Sequence, residues 1–440
     1  MGKSIIVAGL GHGGIAAAAL LSKAGYDVTV YEKKSEGTLG YDWTDIFDPK
    51  ALGVAEIPMP PEDKYEYKED MTFCGPCGNN PLKQHVPLDA REIKMERRDI
   101  YNHLIENAVG CGVKIVYDCQ VNGPILDGER VVGISTEKGD ILGDLVIDAC
   151  GVNSPVRRNM PKSTGVQNEI DRAHKISIYR AFFNKASDEP TEDKFKVILF
   201  AGGKPGINWV AAEDEYTDVL IGRFTEFGID EVNATLENLR KKNPRLGEEK
   251  LRGGQFVEIP IRHTLSVPVA DGYAAIGDSA FMPVPLIGSG MANAFKAAKI
   301  LADTIIADKE DTYSAKTLWP YAVKYHKALG SGLAPLECVR SALLKLRPQD
   351  VEYCFESGIV NSDDITMSAD FGSMGDLFAF DKDDIKKKIK GATGNKYLIK
   401  TLGGAVGKMV KVVVLSNQMP QEWDKAKVLD WAKKYDKAFM

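Results

Sequence analysis

The sequence predicts an α/β protein made of an α/β unit that the chain leaves and re-enters, a second unit dominated by strands, and a largely helical C-terminal region. Three observations carry this reading. Residues 4–31 run strand, glycine turn, helix, strand; residues 175–260 show the period-two alternation of strands; and from about Thr312 the pattern is helical and rich in lysine. At 440 residues, 44% of them hydrophobic, the chain can bury two or three structural units.

The elements follow in order. Ser4 to Ala8 is a strand, Gly9 to Gly14 a turn, Ile15 to Ala24 a helix and Asp27 to Tyr31 a second strand. From about Gly37 to Leu88 the regularity fails, with Pro58, Pro60, Pro61, Pro76 and Pro81 punctuating it, which reads as an excursion laid over the core. A helix near Asp99 to Ala108, a strand Val113 to Tyr117, a hairpin at Asp127-Gly128 and a strand Leu145 to Ala149 come next. Alternation in Ile176 to Phe183 and Asp218 to Phe224 predicts a second sheet. The chain then returns with a buried strand, Tyr273 to Ile276, and a helix from Met291 to Ile306. The division is therefore residues 1–45, 90–165 and 265–310 in the first unit, 46–89 and 166–264 in the second, and 311–440 in the helical region.

The formal charge is −6, and no basic block offers a phosphate-backbone footprint, so nucleic acid is not an expected partner. No stretch reaches the roughly 18 apolar residues of a membrane span, and Met1-Gly2-Lys3 leads directly into a short strand; both point to a cytoplasmic protein. Leu398 to Leu415 is apolar except for Thr401, three glycines and lysines 400, 408 and 411, which suits either a lysine-edged core helix or a helix lying on a lipid surface. Seven scattered cysteines, an odd number, read as reduced thiols.

The strongest chemical signal is Gly9-Leu10-Gly11-His12-Gly13-Gly14 between strand and helix, with Glu32 ending the next strand. Gly9 permits the tight turn, Gly11 lets backbone approach a pyrophosphate, and Gly14 lets helix and strand pack, while the helix N-terminus favours the anion. Glu32 would accept from ribose hydroxyls and disfavour a 2′-phosphate, which makes FAD or NAD the expected dinucleotide and the unit Rossmann-like. His12, inside the turn, could hydrogen-bond a phosphate.

Downstream segments resemble a flavoprotein family. Met95-Glu96-Arg97-Arg98-Asp99-Ile100-Tyr101-Asn102-His103-Leu104 resembles the arginine-led helix start of flavin hydroxylases and geranylgeranyl reductases, in which the arginine reaches FAD. Leu145 through Arg157, containing Asp148-Ala149-Cys150-Gly151, resembles their "DG" segment, and Tyr273-Ala274-Ala275-Ile276-Gly277-Asp278-Ser279-Ala280 their "GD" segment, whose aspartate holds the ribitol. Where hydroxylases generally carry a histidine after that segment, this chain has Phe281, while Pro285 to Lys296 resembles the corresponding loop and helix of the reductases. Pro205-Gly206-Ile207-Asn208-Trp209 resembles their aromatic substrate-domain motif, and the tail from Tyr321 through Gly358 their helical end.

The resemblance implies a discontinuous Rossmann-like FAD-binding domain, a β-sheet substrate domain and a helical C-terminal region. Its cofactor set is Gly9, Gly11, Gly13, Gly14, Glu32, Lys33, Arg97, Val121, Gly151, Gly277, Asp278, Gly288, Gly290 and Met291, with the helix after Gly290 aimed at the flavin pyrimidine. The implied chemistry is reduction of a carbon–carbon double bond in an apolar, lipid or isoprenoid-like substrate. A flavin monooxygenase is the alternative; a non-catalytic lipid-binding protein and a dehydrogenase using NAD alone are further ones. No second glycine-rich nucleotide motif is present, so electrons would come from NADH docking transiently or from a small carrier. Trp209 is expected to wall the substrate pocket, and Cys74-Gly75-Pro76-Cys77 has the spacing of a redox or active-site pair, although it lies in the irregular excursion. His263 is a candidate for the pocket rim or a surface histidine.

Overall fold

The structure, a computed structural model, describes residues 3–191, 193–367 and 382–440. Its first sheet runs, in spatial order, Val269–Ala270, Tyr273–Ala275, Leu145–Asp148, Ser4–Ala8, Asp27–Tyr31 and Lys114–Val116, parallel throughout except for the short first pairing. Ile5 to Ala8 and Leu145 to Ile147 are buried on both faces, as a helix-covered parallel sheet requires. The helix His12–Lys23 lies against it and is buried from Gly13 to Leu21. It starts three residues before the position its apolar pattern suggests, because Gly11 is its N-cap and Gly13 and Gly14 form the first turn. The expected hairpin at Asp127-Gly128 joins Val121–Asp127 to Arg130–Thr136 in a separate three-stranded sheet.

The proline-rich excursion departs from expectation. It carries the strands Thr44–Phe47, Tyr65–Tyr67, Thr72–Cys74 and Leu82–Lys83 and a short helix, Lys50–Val54. The prolines stand between these strands, not in them, so they set turns without costing ladder hydrogen bonds. Phe47, Leu52 and Ile57 are buried in the main core, so this segment is part of the core and not merely laid over it.

The second sheet has seven strands, in the order Leu246–Pro260, Lys175–Lys185, Tyr216–Arg223, Gly206–Ala212, Phe195–Leu199, Thr72–Cys74 and Leu82–Lys83. Alternation sorts its side chains as predicted. Tyr179, Ala181, Phe183, Val219 and Ile221 pack under the helix Ile229–Arg240, while Ile178, Leu220 and Val257 turn to the opposite face, where a cavity opens. Helices from Ala315–Tyr325 to Lys425–Lys437 complete the molecule, anchored by the fully buried Trp319, whose Nε1–H donates to the Pro420 carbonyl at 2.9 Å. Among the described residues no helix is long and apolar enough to cross a membrane.

Candidate functional site

One cavity of about 1140 Å³ runs between the two sheets. Its lining joins the glycine turn, the end of the second strand, the Gly277 segment, the N-terminus of the Met291–Ala307 helix and the inner face of the seven-stranded sheet. All fourteen residues of the expected cofactor set and Trp209 line it. Cys74 and Cys77 do not.

At the turn, Gly9 has φ +84°, and a Cβ there or at Gly11 would lie 2.8 Å from the Ala149 carbonyl oxygen. The need for glycine is thus imposed first by the adjoining strand end, before any ligand enters. Glu32 is oriented by backbone: its carboxylate accepts from Leu10 N–H and from Lys34 N–H, both at 2.9 Å. His12 stacks on Tyr101 at 4.6 Å and lines the cavity; burial, then the Arg97 charge, pushes its pKa well down, so the ring is neutral, and Nε2 is buried with no hydrogen-bond partner. Arg97 donates to Asp45 at 2.7 Å and its Nε is likewise buried and unpartnered. Burial opposes the Arg97 charge, but Asp45 and the phenols of Tyr101 and Tyr41 more than offset it, so the guanidinium stays charged.

Asp278 lies on a 3-10 turn, Gly277–Ala280, and burial raises its carboxyl to about 6, a shift that Arg97 moderates. The turn is braced by residues to which the sequence motifs assign no such role. Asp148 accepts from Ser154 Oγ at 2.6 Å, Tyr273 Oη at 2.9 Å and Ser279 Oγ at 3.1 Å, and Arg157, fully buried, donates to the Ser279 and Val152 carbonyls. The guanidiniums of Arg157 and Arg262 lie over the Phe281 ring, 4.5 and 5.1 Å from its centroid. A buried polar cluster of this kind leaves no periodic trace in a sequence: Asp148, Ser154 and Arg157 lie in the Leu145 to Arg157 segment and Tyr273 and Ser279 in the Tyr273 to Ala280 segment, but nothing in either marks them as partners.

Toward the second sheet the lining becomes apolar, with Ile178, Val197, Ile207, Leu220, Val257 and Ile259 around Trp209. Trp209 meets Phe195 edge-on at 5.2 Å, and its Nε1–H is buried without a partner. Arg180 lies 4.8 Å from its ring, held by Asp218 through paired hydrogen bonds of 2.9 and 2.5 Å and by the Thr44 hydroxyl at 2.7 Å. This buried arginine clamp escaped the sequence reading because Asp218 and Thr44 are distant in the chain; the signal was Arg180 on an otherwise apolar strand.

The cysteine pair sits behind the sheet. Phe73 lines the cavity and Cys74, next along the strand, is fully buried outside it, as strand alternation dictates. Cys77 is exposed, with its N–H donating to Glu352 at 2.8 Å. Burial raises the Cys74 thiol and the Glu352 carboxylate raises that of Cys77, so neither gains thiolate character. His263 is neither rim nor surface. It is buried, bonded through Nδ1 to Glu337 at 2.6 Å and through Nε2 to Asp436 at 2.9 Å, with its ring stacked on Phe439 at 3.8 Å. Against the upward push of burial, His263 and Arg262 hold the Glu337 carboxyl at about 2.

An extended dinucleotide fits these residues: two buried unpartnered nitrogens, His12 Nε2 and the donor Arg97 Nε, stand beside a glycine turn at a helix N-terminus, with carboxylates at Glu32 and Asp278 for hydroxyl groups. Residues 7–56 match the model of the NAD(P)-binding Rossmann-like domain. The chain is 22% identical over 386 residues to the digeranylgeranylglycerophospholipid reductase of Sulfolobus acidocaldarius, covering 84% of each, and 23% identical over 353 residues to that of Haloferax volcanii, covering 73% of this chain and 81% of the relative. A geranylgeranyl bacteriochlorophyll reductase-like protein of Thermoplasma acidophilum superposes with a TM-score of 0.72 at 18% identity, over 92% of this chain and 99% of that one. These likenesses bear out the α/β fold class, the resemblance to geranylgeranyl reductases and the expectation of an FAD-dependent oxidoreductase on this scaffold.

Proposed function

We propose that the protein reduces carbon–carbon double bonds in an isoprenoid or similarly apolar chain, using FAD. The observation that carries this reading is the continuity of one cavity from a dinucleotide cradle to an apolar, aromatic-walled end. When bound, reduced FAD would supply a hydride to one carbon of the double bond, and a proton delivered to the other carbon would complete the reduction. The chain's own part is to bind, orient and exclude water. The glycine turn, Arg97 and the Met291–Ala307 helix N-terminus take the anionic and electron-rich parts of the cofactor, and Glu32 and Asp278 take its hydroxyls. Ile178, Leu220, Val257 and Trp209 form the wall against which an apolar chain lies, with Arg180 fixing the indole. NADH or a small redox carrier is the electron source in this reading, and a substrate held in lipid makes peripheral membrane contact part of it.

The test is an anaerobic single turnover. Holoprotein reduced with dithionite and mixed with geranylgeranylglycerol should return its flavin band while the product gains two hydrogens per double bond. Product formed only when oxygen is admitted, carrying an added oxygen atom, would replace this reading with a monooxygenase.

A further inference from the structure

The helix Lys396–Ser416 is 21 residues long and contains four lysines and no acidic residue. Leu398, Ala405 and Val412 are buried on its inner side, where it packs against the helix Ser331–Leu343. On its outer side Ile399, Val406, Val410 and Val414 are 44%, 58%, 60% and 51% exposed. At 3.6 residues per turn these positions fall, with Val413, on one continuous stripe, and Lys400 and Lys411 follow its edge roughly 100° round the helix. Neither lysine has an ion pair among the described residues. β-branched side chains weaken a helix slightly and gain nothing from facing water, so solvent is a poor explanation for this face. The adjoining helix Lys382–Ala392 adds Ile389, 63% exposed, and the exposed Lys387 and Lys390.

We propose that this helix docks the protein on an anionic lipid surface, with the aliphatic stripe in the headgroup region and the lysines at its edge meeting lipid phosphates. Charge selects this occupant: the chain as a whole carries −6, so the uncompensated cationic edge is local, and a second copy stacked on the same face would set lysine against lysine. The location suits delivery, since Leu398 shares an apolar cluster with Phe73, which also lines the cavity. The inference rests on the proposed reading only for the lipid nature of the substrate.

Sedimentation of the full-length holoprotein with sucrose-loaded vesicles tests it, using phosphatidylcholine alone and phosphatidylcholine mixed with phosphatidylglycerol. Binding is expected to the mixed vesicles, weakening with salt, falling about thirtyfold at low salt in Lys400→Gln/Lys411→Gln and disappearing in Val406→Asp/Val410→Asp. Flavin content and unfolding midpoint should match wild type in both, because all four side chains are solvated. Failure of the wild type to bind, or equal binding by the aspartate variant, overturns the proposal. So does a concentration-dependent dimer in ultracentrifugation that the aspartate variant dissolves, which would make a second copy the occupant. The assay needs no turnover, so its failure leaves the reductase reading standing, and failure of the reductase reading leaves vesicle binding to be judged by itself.

Discussion

The two ends of the cavity are built on different terms. At the dinucleotide end the wall is largely backbone: a positive-φ turn, helix N-termini, and the Glu32 carboxylate held by main-chain N–H groups, with Ala149 so close that side chains are excluded at Gly9, Gly11 and Gly14. At the substrate end the wall is side chain, contributed by strands from Thr72 to Pro260, and each residue is replaceable by another apolar one of similar volume. The first end tolerates little change, and part of it lies in residues 7–56, which match the Rossmann-like domain model; the second end, in the proposed reading, selects the substrate.

That contrast is most easily broken at Gly14, where a Cβ would lie 2.4 Å from Ala149 Cβ and 3.0 Å from Val7 Cγ1. Gly14→Val should cost about 3 kcal/mol of stability through overpacking and remove FAD together with it, read by urea unfolding and by the ratio of flavin to protein absorbance. A stable, fully yellow variant would show that the turn is looser than its packing implies.

Asp278→Asn separates binding from stability. The Asp278 pKa of about 6 in the folded protein lies above the ordinary carboxylate value, so the stabilising contribution of its protonated form is full below about pH 4 and is lost as pH rises through 6. FAD-free Asp278→Asn should therefore match wild type near pH 4 and exceed it by roughly 3 kcal/mol near pH 8, while FAD affinity falls about tenfold through loss of a charged hydrogen bond. An unchanged difference across that pH range would remove the strain argument from Asp278.

The same contrast explains what could be read in the sequence. Backbone constraints announce themselves, because few residues satisfy them: the glycines from Gly9 to Gly14, Glu32 at a strand end and Gly277-Asp278 were all legible, and all line the cavity. The excursion was misjudged because its strands are two to four residues long, too short for a periodic signal, although Thr72–Cys74 joins the second sheet by pairing with Phe195–Leu199. The buried setting of His263 and the Arg180 clamp were missed for a related reason. Their partners, Glu337 and Asp436 in one case, Thr44 and Asp218 in the other, come together only through tertiary packing.

A smaller effect sharpens the substrate end. Trp209→Leu keeps the wall apolar but loses the edge contact to Phe195 and the Arg180 stacking, together worth about 1.5 kcal/mol. It should lower kcat/KM for an isoprenoid substrate about tenfold with FAD content unchanged; loss of FAD instead would place Trp209 at the cofactor end.

The smallest effect is expected at the cysteines. Cys74 lies behind the sheet with its pKa raised by burial, and Cys77 faces solvent beside Glu352, so neither offers a thiolate to the cavity. Cys74→Ser buries a hydroxyl in place of a thiol and should cost about 1 kcal/mol of stability, whereas Cys77→Ser, exposed, should cost almost nothing. In both, the flavin reduction potential and single-turnover rate should stay within about twofold of wild type. A potential shifted in either variant, with fold and flavin intact, would mean that the pair communicates with the cofactor through the sheet, and the separation between the two faces of the Thr72–Cys74 strand would no longer hold.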